Sequence, residues 1–352
     1  MGFLDIFFKK SKRKNYNVTT TAIDHSGTTY NDAYADAKRN YNNSIPSRNG
    51  LKPPEILMIS LSTSYNNTTV NFPGYWRYTY GIDNPRATLE MLKSRGFIKD
   101  GSPSSALAQL KVPELKEILV EIGQPTSGKK ADLIERIKSN ASDEFIMSKV
   151  SFVSYEITEL GQKEVKDNEY VLYFHKHKGA YGLDVWYMNK SLENYPHRLW
   201  RDRIWGKLNQ DYQDCLEKYG RGDFSDYSRV RFTMCDFLYE EKREPSAIIR
   251  MWIEGAYLDI NYVGRDQYKR SVYMYNFIKQ SNPSADIEEP DISTCYSFNR
   301  SIDCLKWAKD ELSMSDDELK RRIIDHFQSQ PFPPTVSTQE ALDLINRFIA
   351  LN

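Results

Sequence analysis

In this 352-residue chain the residues best placed to do chemistry are Thr126, Ser127, Gly128, Lys129 and Lys130, just ahead of a run with helical apolar spacing at Leu133, Ile134 and Ile137. A helix N-terminus is the positive end of the macrodipole, and a cation placed there costs roughly a few tenths of a kcal/mol. A chain shaped for stability alone would carry Asp or Glu at that point. Two lysines beside small hydroxylated residues and a glycine suit an anion instead, since free N–H groups and ammonium groups can hold one phosphate together. Lys116, Arg136 and Lys111 can extend the contact. The other reading of the same residues is a solvated turn.

Catalytic chemistry finds less support. His175 and His177 are expected on one side of a strand, where they could chelate a metal, yet no third ligand is spaced to join them and they read as surface histidines. Glycine-rich phosphate loops, paired-carboxylate signatures and nucleophile elbows are missing. The tripeptide Arg221-Gly222-Asp223 matches a cell-adhesion signal by coincidence. The chain is therefore expected to be non-enzymatic and to need no cofactor.

The elements that must position the lysines are two short helices. From Pro113, apolar residues fall at Leu115, Ile118, Leu119 and Ile122, the spacing of one helical face. Gly123 stops that helix, Pro125 begins a turn, and the second helix follows Gly128. Helices this short are marginal alone in water, so each must bury its stripe against the other.

This stretch resembles the SAP domain, a helix-extended-loop-helix module of DNA-binding proteins. The residues that carry the likeness are Leu110, Val112, Leu115, Lys116, Leu119, Gly123, Gly128, Lys130, Leu133, Ile134, Arg136 and Ile137. Gln124 departs from the pattern, which usually has a leucine there. The resemblance covers about a tenth of the chain. It implies backbone-mediated DNA binding by Lys116, Thr126, Ser127, Gly128, Lys129, Lys130 and Arg136, and it is similar to SAP-containing proteins of Gram-positive bacteria and their prophages.

Charge limits the strength of such binding. Between Leu107 and Lys138 six basic residues face five acidic ones. With three or four phosphates neutralised, the salt slope would be only about −3 to −4. Stable association then needs a second contact or several copies of the module. Over the whole chain 48 basic and 48 acidic side chains cancel, so no global bias advertises a partner. The four cysteines lack metal-ligand spacing and read as reduced, buried thiols of a cytoplasmic protein.

Residues 1–14 read as an amphipathic and basic peptide: Phe3, Leu4, Phe7 and Phe8 are followed by Lys9, Lys10, Lys12, Arg13 and Lys14. Its order is the reverse of a secretory signal. It suits peripheral membrane contact, a partner's groove or a second DNA contact, or is a solubilising charge run. Residues 15–54 read as a flexible linker with a transient helix near Asp32 to Arg39. Residues 55–170 are expected to form a small α+β, winged-helix-like domain holding the SAP motif at 107–140. It would open with a strand or a buried extended segment at Ile56, contain an aromatic cluster at Phe72 to Tyr80 that reads as core before a base-stacking surface, start a helix at Asp83-Asn84-Pro85, and include a strand from Val150 to Ile157.

Residues 171–352 read as an α-helical, repeat-like domain with a surface for a protein partner. Stripes occur at Leu208, Tyr212, Cys215, Leu216 and Tyr219, at Val230, Met234, Phe237 and Leu238, and at Ile248, Met251, Trp252 and Tyr257. Asp223 to Asn261 resembles a tetratricopeptide-like pair with Cys235 and Ala247 at the close approach. Further helices are expected near 266–279, 298–313, 315–329 and 337–350, two of them opened by capping boxes at Ser315 and Ser337. The expected class is mainly α with minor β. A rival reading makes the chain a structural adaptor whose SAP-like hairpin docks a protein.

Overall fold

Pro53 and Pro54 set the first turn of a helix, and the carboxylate of Glu55 accepts from the Lys52 N–H at 2.8 Å, so the apolar run Ile56-Leu57-Met58-Ile59 is launched as a helix and not as the strand expected there. That helix is buried from Pro53 through Ile59. A helix buried on all sides has no polar face to reveal its period, which is why its sequence reads like an extended core segment.

The computed structural model describes residues 30–224, 226–291, 295–330 and 334–351. The expectations for the amino-terminal peptide, Phe3, Leu4, Phe7 and Phe8 included, lie outside these residues. The chain divides into two compact units, one ending at Asn168 and one beginning at Glu169.

In the first unit α1 (Tyr30–Asn43) precedes α2 (Pro53–Leu61). The flexible linker expected over this region is thus corrected from Tyr30 onward. Tyr41 donates from its hydroxyl to Glu55 at 2.7 Å, the Lys52 ammonium donates to Tyr41 O at 2.8 Å, and Lys38 pairs with Asp83 at 2.5 Å. These tertiary contacts are polar, so α1 carries little of the apolar stripe that would reveal it. Next come α3 (Tyr75–Tyr78) and α4 (Pro85–Ser94), the latter capped by Asn84, whose side chain accepts from the Ala87 N–H at 3.0 Å. Trp76 is buried and donates its indole N–H to the Tyr65 hydroxyl at 2.9 Å, so the aromatic cluster is core.

The only sheet among the described residues pairs β1 (Ile98–Asp100) antiparallel with β2 (Tyr155–Ile157), in the register Ile98 to Ile157. The strand expected from Val150 is shorter than its alternation suggested. Everything between the two strands is an excursion that leaves and returns at one place, where Gly101 N–H donates to Ser154 O at 2.8 Å. The excursion holds α5 (Pro103–Ala106), α6 (Val112–Glu121), α7 (Lys130–Asn140) and α8 (Asp143–Lys149). It has its own core of Leu107, Leu115, Leu119, Leu133, Ile137 and Ile146. α9 (Glu159–Asp167) closes the unit. Its Gly161 lies so close to Phe97 O that a Cβ would collide with the carbonyl.

The second unit is helical: α10 (Glu169–Lys176), α11 (Val185–Lys190), α12 (Trp200–Tyr219), α13 (Tyr227–Glu240), α14 (Pro245–Leu258) and α15 (Gly264–Ser281), then α16 (Ile302–Glu311), α17 (Asp316–Gln328) and α18 (Thr338–Leu351). α14 is the central element, burying Ile248, Trp252, Ala256 and Tyr257 among others. It packs against α13, as the two stripes imply. Their close approach is at Gly255, whose Cβ would sit 3.0 Å from the Phe232 ring, and at Cys235, whose Sγ lies 3.6 Å from Ile248 O; Ala247 is half-buried. The pair is followed by a π-helical turn (Asp259–Val263) and α15, so the tetratricopeptide likeness stops at one hairpin. Ser315 and Ser337 accept from Glu318 and Glu340 N–H at 3.2 and 3.1 Å, the serine half of each capping box, while the two carboxylates turn to Arg321, Arg322 and Arg265.

None of the four cysteines forms a disulfide, and all are buried. No helix among the described residues is long and apolar enough to cross a membrane.

Candidate nucleic-acid interface

The hairpin of α6 and α7 is closed by Leu115, Ile118 and Leu119 from one helix and Leu133 and Ile137 from the other, all buried. Both helices begin in the same way. A carboxylate three residues in, Glu114 for α6 and Asp132 for α7, accepts from the N–H of the residue before the helix, Lys111 at 2.5 Å and Lys129 at 2.9 Å. α6 ends on Gly123 in the left-handed region (φ +67°), and Gln124 N–H reaches back to Leu119 O at 2.8 Å. The cap is made by the Gln124 backbone, so the exchange of leucine for glutamine leaves the hydrogen bonding of the turn intact.

The loop that follows, residues 125–128, is held from outside. Arg136 projects back from the second turn of α7 and donates to Pro125 O at 2.5 Å and Ser127 O at 3.0 Å. The Lys130 ammonium donates to Ala108 O at 2.7 Å, tying the start of α7 to the 3₁₀ turn before α6. Two basic residues of the expected phosphate set are therefore engaged in shaping the loop. Sequence reasoning missed this division of labour, because the carbonyls they reach lie 9 to 22 residues away.

The rest of the set is open. Thr126 is half-buried, while Ser127, Gly128 and Lys129 are exposed. Among the described residues the amides of Thr126, Ser127 and Gly128 donate to nothing, and the Lys129 ammonium has no hydrogen bond or ion pair. The first-turn amides of Lys130, Ala131 and Asp132 point out of the helix end, as in any helix. Gly128, at φ +124°, would place a Cβ 3.2 Å from the Asp132 carboxylate, so only glycine lets that cap sit against the loop. The structure thus gathers residues 126–130 and Arg136 at one corner. Lys116 is exposed in the middle of α6, with no hydrogen bond or ion pair to that corner among the described residues.

The charge balance favours an anion more than the count of six against five suggests. Glu114 and Asp132 are turned onto backbone N–H groups, Glu135 pairs with Lys138 at 3.2 Å, and Glu121 pairs with Lys149, which leaves Glu117 as the one of the five with no internal partner among the described residues. Lys111, Lys116 and Lys129 keep ammonium groups without an internal partner among the described residues.

The other candidate does not assemble. His175 lies in α10, and His177 just beyond it stacks on Tyr173, its Nδ1 3.0 Å from Tyr173 O. Two residues apart on a helix point to different sides, so the shared strand face expected for these histidines is absent. No group of three or more His, Cys, Asp or Glu side chains suited to a metal occurs among the described residues.

Searches of curated proteins and of solved structures returned no match to the chain. The family model of the SAP domain matches residues 106–140, so this chain contains a SAP domain, and it coincides with the hairpin whose loop carries the open amides and lysine.

Proposed function

We propose that the protein binds DNA without catalysing a reaction, through backbone-phosphate contacts made by its SAP domain, which is typically a DNA-binding motif. One observation carries the reading: an exposed, internally unpartnered Lys129 ammonium stands beside open loop amides on a loop that Arg136 and Lys130 hold in place. Lys129, Ser127 and Gly128 then contact a phosphate directly, Lys111 and Lys116 add charge, and Lys130 and Arg136 act mainly by positioning.

Three to four neutralised phosphates imply a salt slope of about −2.7 to −3.6, hence an affinity that falls roughly 40- to 150-fold between 50 and 200 mM salt. Fluorescence anisotropy of a labelled random duplex, titrated at several salt concentrations, tests this. Lys129→Ala should leave the circular dichroism spectrum unchanged and flatten the slope by about 0.9. Absence of binding at the lowest salt, or an unchanged slope in Lys129→Ala, overturns the assignment.

A second reading, in which the hairpin docks a protein, is favoured by one feature. Val112 and Val120, 37% and 68% exposed, flank Lys116 along the outer side of α6. Under that reading Val120→Ser weakens partner capture and leaves DNA binding untouched.

A further inference from the structure

α15 is an 18-residue helix in which Gly264 alone is buried among the described residues. Helices of globular proteins are held mostly by packing of an apolar face; this one half-buries Tyr268, Val272, Tyr275 and Ile278 and leaves a second apolar face exposed. Tyr273, Met274 and Phe277 are 68%, 50% and 54% exposed and adjacent on the surface. Gln267, Arg270, Met274, Phe277 and Ser281 lie in one row at alternating three- and four-residue spacing, apolar in its centre at Met274 and Phe277 and polar toward both ends. From these features we propose that α15 pairs antiparallel with α15 of a second copy of this chain, making a two-fold dimer. The inference is independent of the DNA-binding reading.

The occupant is identified by charge and symmetry. Asp266 is the one acidic residue of α15, against Arg265, Lys269, Arg270 and Lys279; Lys269 pairs with Asp266 at 3.6 Å and Arg265 with Glu340 at 3.8 Å, so Arg270 is the cation at that end in no ion pair among the described residues. The segment that follows is acidic, with Asp286, Glu288 and Glu289 exposed and in no ion pair among the described residues. The chain turns back after the helix, because the Lys279 ammonium donates to Ala285 O at 2.8 Å. The acidic segment therefore starts beside the last turns of α15. One end of the surface is basic, the other acidic, and the middle apolar.

Such a surface complements itself under a two-fold operation, since an isologous interface places each patch against its counterpart on the other copy. With the axis near Tyr273 and Met274, Phe277 of one copy faces Arg270 of the other, a cation–π arrangement. The basic first turns of each helix then face the acidic segment of its partner. A nucleic acid would suit the basic end and be repelled by the acidic one. A membrane surface would meet the same repulsion.

Light scattering coupled to size-exclusion chromatography tests the proposal on the full chain, loaded from about 1 to about 200 µM, the range in which a single helix pair gives a measurable equilibrium. The mass should rise with concentration from 41.1 kDa toward twice that value. Met274→Glu/Phe277→Glu, both at exposed positions, should remain monomeric throughout with an unchanged circular dichroism spectrum. Lys269→Glu/Arg270→Glu and Glu288→Lys/Glu289→Lys should each be monomeric alone and form dimers when mixed. A wild-type mass that stays at 41.1 kDa overturns the proposal. So does a dimer that survives the glutamate substitutions, or a mixture of charge-reversed variants that fails to pair.

Discussion

Replacing Asp259 by Asn should remove a pH dependence from the stability of the helical unit. Asp259 opens the π-helical turn and is fully buried. Its Oδ2 accepts from the Phe298 N–H at 3.0 Å, anchoring the segment that leads into α16, while Oδ1 has no hydrogen bond among the described residues. Burial raises its pKa from 3.8 to about 7, partly offset by the N–H groups of Ser297 and Phe298 and by the Arg300 charge. Between pH 3.8 and 7 the folded chain thus holds a proton that the unfolded chain has released. Stability from this group is greatest below the unfolded value and is lost as pH rises toward 7. Between pH 5 and pH 8 the loss amounts to about 2–3 kcal/mol. Asn keeps an acceptor for the Phe298 N–H and cannot ionise. Urea unfolding followed by far-ultraviolet circular dichroism at both pH values gives the difference between wild type and Asp259→Asn, in which other titrating groups cancel. That difference should move in favour of the variant by about 2–3 kcal/mol on going to pH 8, or roughly 5–10 °C in Tm. An equal difference at both pH values would show that the carboxyl is solvated or ionised throughout, and would refute the argument.

Three further outcomes follow from packing and positioning. Arg136→Ala frees residues 125–127 and should weaken duplex binding several-fold with a nearly unchanged salt slope, in contrast to Lys129→Ala; equal losses of slope would make Arg136 a direct phosphate ligand. Gly161→Ala drives a methyl into Phe97 O and should cost about 1–3 kcal/mol in thermal unfolding of the first unit, and a neutral result would mean that α9 can shift away from β1. Leu133→Ala, at a fully buried position, should cost about 2–5 kcal/mol, felt as faster amide hydrogen exchange in α6 and α7 before α2, because the excursion has a core of its own.

The parts of this fold legible in the sequence are those where one local rule dominates. Leu115, Leu119, Leu133 and Ile137 carry the period of α6 and α7, Asn84-Pro85 and Ser315 carry the caps of α4 and α17, and Gly123 the stop of α6, and each stands where its rule puts it. The segment at Ile56 misled because a continuous apolar run fits a buried strand and a buried helix equally well. Lys52-Pro53-Pro54-Glu55 held the deciding signal, a proline first turn with an acid at the third position. α1 was hidden for the opposite reason, since Tyr34, Lys38 and Tyr41 hold it through polar partners up to 49 residues away. At the candidate interface, the residue types were readable and their roles were not. Whether Lys130 meets a phosphate or Ala108 O depends on the path of a turn 22 residues earlier, and spacing within α7 contains nothing about it.

The weakness of a single SAP contact and the self-complementary face of α15 lead to one joint expectation. Three or four phosphate contacts leave binding weak at physiological salt. A dimer carries two SAP domains, and once one is bound the second is at high effective concentration, which raises apparent affinity by roughly 10²- to 10⁴-fold without any new contact. Such a gain requires a duplex long enough for both modules. A duplex of about 12 base pairs, which admits one module, and one of about 60 base pairs should therefore differ far more in affinity for the wild type than the number of available sites explains. Met274→Glu/Phe277→Glu should erase the extra affinity for the long duplex and leave the short one unchanged. Lys129→Ala should weaken both. If the glutamate variant retains the full preference for the long duplex, the added contact lies within one chain and the dimer contributes nothing to DNA binding. If the short duplex is not bound at any salt, the fault lies with the SAP assignment, and the mass of the free protein still decides the fate of α15.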